Sequence, residues 1–458
     1  MSKSQSNTLP VVGVAAYVGS DGPGQSGAIM LKAIDTVNRE KKSNPQSINA
    51  SVSDTSGVLP PPDGGLHAWA QVVSGHFVVA LTWGYAASFG VFQNHYETTL
   101  PQTPSDISWI GGVQVFCIYF ISTLSGRATD AGMARLVVGV GAVLLLLGTF
   151  MTSLATKYWQ IFLAQGICTG IGQGLMWLPS ITLISTYFVR LRVFAVTAAA
   201  TGTSTGGMIF PAMIQHLTPK IGFPWAIRCM GFVVLFMVIV TLALLRPRLP
   251  PRKSGPLVEW SAFKEPAYML FTFGVFLLYW TLYFAFFYIQ VYATEELGLS
   301  EEAGVNLIIV TNALRIPIRP AFGYLADRHI GPLNCLIPWV ALCGILMFCW
   351  AAVHTVAELY VFAVFYGLAS AAAMALFAGT VPSLTKDLDK IGTRVGMALS
   401  IMSVGPLTGP SVAGALIART GGGYLASQMW AGATLIVAAL ALVGARFIIS
   451  GPHLQAKL

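Results

Sequence analysis

Apolar runs of roughly 20 residues or more, long enough to cross a bilayer as helices, recur along this chain with short polar breaks between them. The alternation predicts helices over about 68–92, 107–125, 136–155, 158–182, 193–215 and 224–245, then over about 266–291, 303–325, 334–353, 358–381, 395–417 and 427–449. Two stretches stand outside it. Residues 1–62 are rich in Ser, Asn, Gly and Pro and end on Pro60, Pro61 and Pro62, a composition with little to bury, which predicts a disordered cytoplasmic tail. Residues 246–265, RPRLPPRKSGPLVEWSAFKE, form the longest polar break after that tail and fall between two sets of six predicted helices. The expected organisation is a tail (1–62), a six-helix half (63–245), a cytoplasmic linker (246–265), a second six-helix half (266–450) and a short tail (451–458). The expected fold class is an all-α membrane protein with 12 transmembrane helices in two pseudo-symmetric halves.

Composition agrees with this pattern. Of the 458 residues, 55% are hydrophobic and only 10% charged, with a mean hydropathy of +0.69, whereas about a quarter of a soluble domain's residues are charged. The formal charge of +8 does not point to nucleic acid, because the basic residues are scattered among short loops and make no stripe. They sort by loop. Arg127, Arg135, Arg190, Arg192, Arg246, Arg248, Arg252, Lys253, Lys264, Arg328, Lys386, Lys390, Arg394, Arg446 and Lys457 fall on one side of the predicted membrane, and Lys157 and Lys220 on the other. By the positive-inside rule, both termini are expected in the cytosol. Six cysteines make no CxxC pair, so neither a disulfide framework nor a metal site is indicated, and no cofactor is called for. An enzyme would need a nucleophile–base pair, a metal cluster or paired carboxylates; HExxH and Walker motifs are missing from the sequence.

Punctuation repeats between the halves. Gly126 and Asp130 recur as Gly323 and Asp327, an offset of 197, while Pro179, Ser180 and Gly206 recur as Pro382, Ser383 and Gly409, an offset of 203. A near-constant offset suggests two copies of one six-helix unit, a pattern typical of secondary carriers.

The chemistry concentrates in the predicted eighth helix. NALRIPIRPAFGYLADR, residues 312–328, places Arg315 near the bilayer midplane, about 16 Å from one end at 1.5 Å per residue. Arg319 follows one turn later on the same face, with Pro317 between them predicting a bend. A guanidinium at that depth keeps its charge and must face protein or water, where an anion is its natural partner. Aromatic walls surround it on the predicted seventh helix, with Tyr279, Trp280, Tyr283, Phe284, Phe287 and Tyr288, and on the fourth, with Trp177. Gln165, Gln173 and Asn312 are candidates to orient a ligand, and Gly166, Gly170 and Gly174 read as a helix-packing seam. No Asp or Glu falls in the interior of a predicted span, all lying in loops, the tail or at span edges; His76 is the one histidine well inside and the candidate for proton coupling.

These motifs resemble the major facilitator superfamily and, within it, the fungal form of the monocarboxylate-porter branch, over about residues 63–450. Asp63, Gly64, Gly65 and Trp69 look like the branch signature before helix one. Gly323, Leu325, Ala326, Asp327 and Arg328 are close to the superfamily's loop motif, with Gly126, Asp130 and Arg135 a degenerate first copy. Tyr187, Phe188, Arg190, Arg192 and Ala195 match the basic signature between helices four and five, and Gly405, Pro406, Gly409 and Pro410 the Gly-Pro pattern of helix eleven. The resemblance implies that Arg319 engages a substrate carboxylate and that Tyr85 is a pocket tyrosine. It departs at Arg315, where an aspartate is usual, and at Phe89, where a proton-accepting lysine is usual.

The expectation is a secondary carrier, most naturally in the plasma membrane, moving a small organic anion by alternating access, with simple proton–lactate symport disfavoured. Export of a larger, partly aromatic secondary metabolite is the alternative, and a non-transporting nutrient sensor on the same fold a remote one. Expected binding residues are Arg315, Arg319, Tyr85, Asn312, Gln173, Trp177 and Tyr283. The lipid bilayer and the small molecule are the expected partners, and no feature fixes an oligomeric state.

Overall fold

The computed structural model describes residues 62–248, 258–383 and 391–451; the predicted tail up to residue 61, the middle of the linker with Arg252 and Lys253, residues 384–390 with Lys386 and Lys390, and residues 452–458 with Lys457 lie outside the described residues. Among the described residues there is no strand. The long helices, in chain order, are α1 (Leu66–Thr99), α2 (Pro104–Ala128), α3 (Ala134–Thr152), α4 (Tyr158–Tyr187), α5 (Arg192–Ile221) and α6 (Phe223–Leu244). They continue with α7 (Pro266–Glu295), α8 (Glu301–Leu325), α9 (Pro332–Trp350), α10 (Val356–Ser383), α11 (Ile391–Met402 continuing as Val404–Arg419) and α12 (Leu425–Ser450).

Among the described residues, ten helical stretches are long and apolar enough to cross a membrane. One of them, Asp106–Thr152, contains both α2 and α3. The chain reverses inside it at a π-turn, Thr129–Met133, where Gly132 takes φ 84°, a value that only glycine adopts without strain. α8 falls outside the ten because Asn306, Asn312, Arg315 and Arg319 dilute its apolar character. Several helices outrun their predicted spans. α1 continues to Thr99, past the expected end near 92, and Phe89–Thr99 forms its last section. α8 runs through Pro317 and Pro320 as one helix, so the bend expected at Pro317 does not break it.

One pair of the repeated positions, Gly206 and Gly409, makes comparable close contacts. Gly206 on α5 faces α1 so closely that a Cβ there would stand 2.6 Å from Ala80 O, and a Cβ on Gly409 of α11 would run into Trp280 O on α7. Each glycine lets its helix backbone touch the helix that opens the same set of six. Gly166, Gly170 and Gly174 form the expected seam, bringing α4 against Ile110, Gln114 and Cys117 of α2.

Among the described residues, the loops carrying most of the Lys and Arg gather with the start of α1 at one end of the bundle, termed the basic end below. Arg228, near the start of α6, and Arg419, the last residue of α11, belong with Lys157 and Lys220 to the opposite end. They narrow the charge asymmetry read from the sequence without reversing it.

Candidate functional site

α8 is amphipathic in the sense a membrane requires. Val310, Leu314 and Tyr324 are exposed on one stripe, while Leu307, Thr311, Asn312, Arg315 and Arg319 are buried on the other. The polar residues therefore face inward, onto a cavity lined also by Trp83 of α1, Thr203 of α5, Tyr283, Phe286 and Phe287 of α7 and Tyr366 of α10. The cavity holds about 850 Å³ of atom-free space, counting what runs out to solvent, of which about 70 Å³ can take the centre of a water molecule. A water needs roughly 10–15 Å³ by that measure, so a few fit, and a larger ligand requires side chains to move.

Arg315 is 7% exposed and Arg319 3%. Neither meets a carboxylate among the described residues; their charges are held by dipoles. Arg315 Nε donates to Gly367 O at 3.1 Å, Nη1 to Asn312 Oδ1 at 3.4 Å and Nη2 to Ser370 Oγ at 3.5 Å. Its guanidinium carbon lies 4.6 Å from the centre of the Phe286 ring, a cation–π arrangement. Arg319 Nη1 donates to Ala200 O and, at 3.0 Å, to Thr203 Oγ1, while its Nε is buried without a hydrogen-bond partner. Two desolvated cations one turn apart, with an orphan donor, form a site whose electrostatics favour a negative guest.

Asn312, Tyr283, Arg315 and Arg319 are brought together in this cavity. The other expected binding residues are not among its lining. Gln173 is fully buried, donates to Leu81 O at 3.0 Å and accepts from Gln114 Nε2 at 2.9 Å, so it joins α4 to α1 and α2. Tyr85 is 1% exposed and packs 5.9 Å from both Phe92 and Phe210, away from the arginines. Trp177 stands one ring back, 5.3 Å from Trp83 and 5.6 Å from Tyr119. His76 has hydroxyls at both ring nitrogens, Thr201 Oγ1 at 3.1 Å and Thr205 Oγ1 at 3.0 Å, and lies outside the cavity lining. Sequence reasoning missed Thr203, Trp83, Phe286, Tyr366 and the Gly367–Ser370 turn of α10. Only Gly367, a glycine within an apolar helix, carried a recognisable signal. Its Cβ would run into Thr311, and its carbonyl receives Arg315.

The loop-motif residues sit at the basic end. Asp327 Oδ2 accepts from Phe194 N at 2.9 Å in the first turn of α5, and burial there pushes its pKa up, with the backbone bonds pulling against that. Gly323 lets α8 touch α5, since a Cβ there would run into Thr197 Oγ1. Arg328 donates to Tyr324 OH at 2.9 Å. In the first copy Gly126 faces Leu178, Asp130 lies in the Thr129–Met133 turn, and Arg135 Nε donates to Leu245 O at 3.2 Å. Asp63 Oδ1 accepts from Val189 N and Arg190 N at 2.5 and 3.0 Å, and these bonds hold its carboxyl below the usual range. Among the described residues no three His, Cys, Asp or Glu side chains group to hold a metal.

An all-helical membrane protein with charge buried in an internal cavity is the arrangement expected of a carrier, and the family model of the Major Facilitator Superfamily matches residues 70–349 and 306–454. The chain belongs to that superfamily. It is 38% identical over 425 residues to an MFS-type transporter of Gibberella zeae, covering 90% of this chain and 96% of the relative. It is 35% identical to an aspyridones efflux protein of Emericella nidulans, covering 88% and 84%, and 30% identical to an agnestins efflux protein of Paecilomyces divaricatus, covering 90% and 94%. In fold it is similar to the human organic anion transporter MFSD10, with a TM-score of 0.66 at 14% identity, over 82% of this chain and 99% of that one.

Proposed function

We propose that this protein exports a weakly acidic, partly aromatic secondary metabolite by alternating access. The carrying observation is the cavity itself, in which Arg315 and Arg319 are buried with no carboxylate partner among the described residues and lie among the rings of Trp83, Tyr283, Phe286, Phe287 and Tyr366. A planar acid fits such a box better than a two- or three-carbon one. Its carboxylate or enolate answers the guanidinium N–H groups, and its ring answers the aromatic walls. The efflux relatives support the direction of transport. The monocarboxylate-porter signatures support the branch, and with it a preference for anions.

In this reading α1–α12 each cross the membrane once, as two six-helix halves (63–245 and 266–450) rocking about the midplane cavity, with the basic end and both termini in the cytosol of the plasma membrane. The loop-motif contact of Asp327 with α5 then closes the cytosolic side. The test is untargeted mass spectrometry of culture medium and cell extract from the producing host with the gene intact, deleted, and replaced by Arg315→Ala or Arg319→Ala. One acidic aromatic compound should accumulate inside the deletion strain. Each alanine variant should reproduce that pattern at unchanged membrane abundance, with export reduced on the order of a hundredfold, as losing a charge-assisted contact in a desolvated site implies. Export at the native rate by either variant removes that arginine from the site.

A further inference from the structure

Arg319 belongs to α8, yet both partners of its Nη1 belong to α5: the carbonyl of Ala200 and the hydroxyl of Thr203. That carbonyl is on offer because α5 breaks. Regular helix ends at Ala200 and resumes at Gly202, and Ser204 N donates to Thr201 O at 2.9 Å, three residues back. In an unbroken helix that N–H would go four residues back, to Ala200 O. The break is braced from α1, where the His76 ring bridges Thr201 and Thr205 and where Gly202 sits so close that a Cβ would run into His76 O. Arg315, by contrast, takes its partners from α8 and α10. One arginine of the pair joins the two sets of six helices; the other stays within its own.

We infer that Arg319 is a tether with two competing partners: Ala200 and Thr203 on α5, as in this structure, or an anion in the cavity. The inference rests on the anion-exporter reading above. An anion is the stronger partner for a buried guanidinium, because both members of that hydrogen bond are charged. Drawing Arg319 toward it removes the contact that holds α5 to α8 at this level, while Arg315 keeps the ligand on the second set. A ligand shifts a conformational equilibrium only through contacts that differ between states, and this exchange supplies the difference. Thr203 and His76 are positioning residues in this scheme: the first completes the α5 cradle, the second braces the break.

The test uses the full chain reconstituted in lipid, with nitroxides at Val189 and Ile330, exposed positions at the basic end on either side of the α5–α8 contact. Pulsed dipolar spectroscopy reads the ratio of separated to closed molecules. Thr203→Val should raise that ratio on the order of tenfold, as losing a hydrogen bond to a charged group implies, and Thr203→Ser should restore it. Adding 1-hydroxy-2-naphthoate, a planar aromatic acid, should raise the ratio in the parent protein and add little in Thr203→Val. An unchanged ratio in Thr203→Val overturns the tether whatever the acid does. A parent protein that ignores the acid, beside a Thr203→Val that opens, overturns ligand release and the anion reading together while leaving the α5–α8 contact as a structural one.

Discussion

The segment before α7 is held to α11 by an ion cluster that permits a quantitative test. Arg394 Nε and Nη2 donate to the two oxygens of Glu259 at 3.0 and 3.3 Å, and Nη1 and Nη2 to those of Glu265 at 2.8 and 2.5 Å. The two pairs differ in solvent: the Glu259 side chain is 8% exposed and that of Glu265 47%. Arg394→Leu strands Glu259 in a dry site with the Ser261 hydroxyl, 2.8 Å away, as a remaining partner, and should cost about 3–5 kcal/mol. Glu259→Gln leaves Arg394 its second acid and keeps the shape of the site, so it should cost about 1–3 kcal/mol. Glu265→Gln removes a solvent-screened partner and should cost at most about 1 kcal/mol. With an unfolding entropy of about 2.1 cal/mol/K per residue, a chain of this size loses roughly 1 °C of midpoint per kcal/mol, so Arg394→Leu should melt about 3–5 °C below the parent. Fluorescence-detected thermal unfolding in one detergent, at one scan rate, gives the ordering. The Arg394→Leu deficit should shrink on acidification, because a stranded buried carboxyl takes up a proton. Equal losses from the two Glu→Gln variants, or a parental midpoint for Arg394→Leu, would refute the assignment of the load to the Glu259 arm.

Two further predictions concern packing and pH. Gly202→Ala and Gly409→Ala each drive a methyl into a backbone carbonyl, His76 O and Trp280 O, that cannot turn aside; each should cost on the order of 1–3 kcal/mol or more and lower the monodisperse yield in size-exclusion chromatography. Gly139→Ala, with nothing within 4 Å of the added Cβ, should elute as the parent does. Asp63 and Asp327 should respond to pH with opposite signs. The depressed carboxyl of Asp63 adds stability above the ordinary carboxylate pKa that is lost as pH falls through its lowered value, so the parent should lose ground to Asp63→Asn in acid. The raised carboxyl of Asp327 is most favourable when protonated, so the parent should lose ground to Asp327→Asn as pH rises through its raised value, the two midpoints being compared across about pH 3–7.

The helices were legible because burial in lipid leaves a coarse mark, an apolar run of sufficient length, and the arginines were legible because a charge inside such a run is too costly to be incidental. Which way a side chain points was legible only where a helix has a polar face. α8 has one: its exposed residues, Val310, Leu314 and Tyr324, stay clear of Asn312, Arg315 and Arg319, so three expectations on one helix fell together onto one wall. On α1 and α4 the buried polar residues, Ser74 and Gln173 among them, face neighbouring helices instead of the cavity. On α1, Trp83 lines the cavity while Tyr85 does not, and two residues of helix amount to about 200°, so a ring facing the cavity at one position is carried to the far side at the other. The π-turn Ala80–Gly84 turns the register further just before Tyr85 and has no sequence signature of its own. On α4, Gln173 had a second way to satisfy its amide, the carbonyl of Leu81 and the side chain of Gln114, and a buried amide settles wherever its donors and acceptors are met. The same cause hid Thr203. Its importance depends on the break at Thr201 exposing the Ala200 carbonyl beside it, and a break made by tertiary packing of Gly202 on α1 is not a local property of the sequence around it.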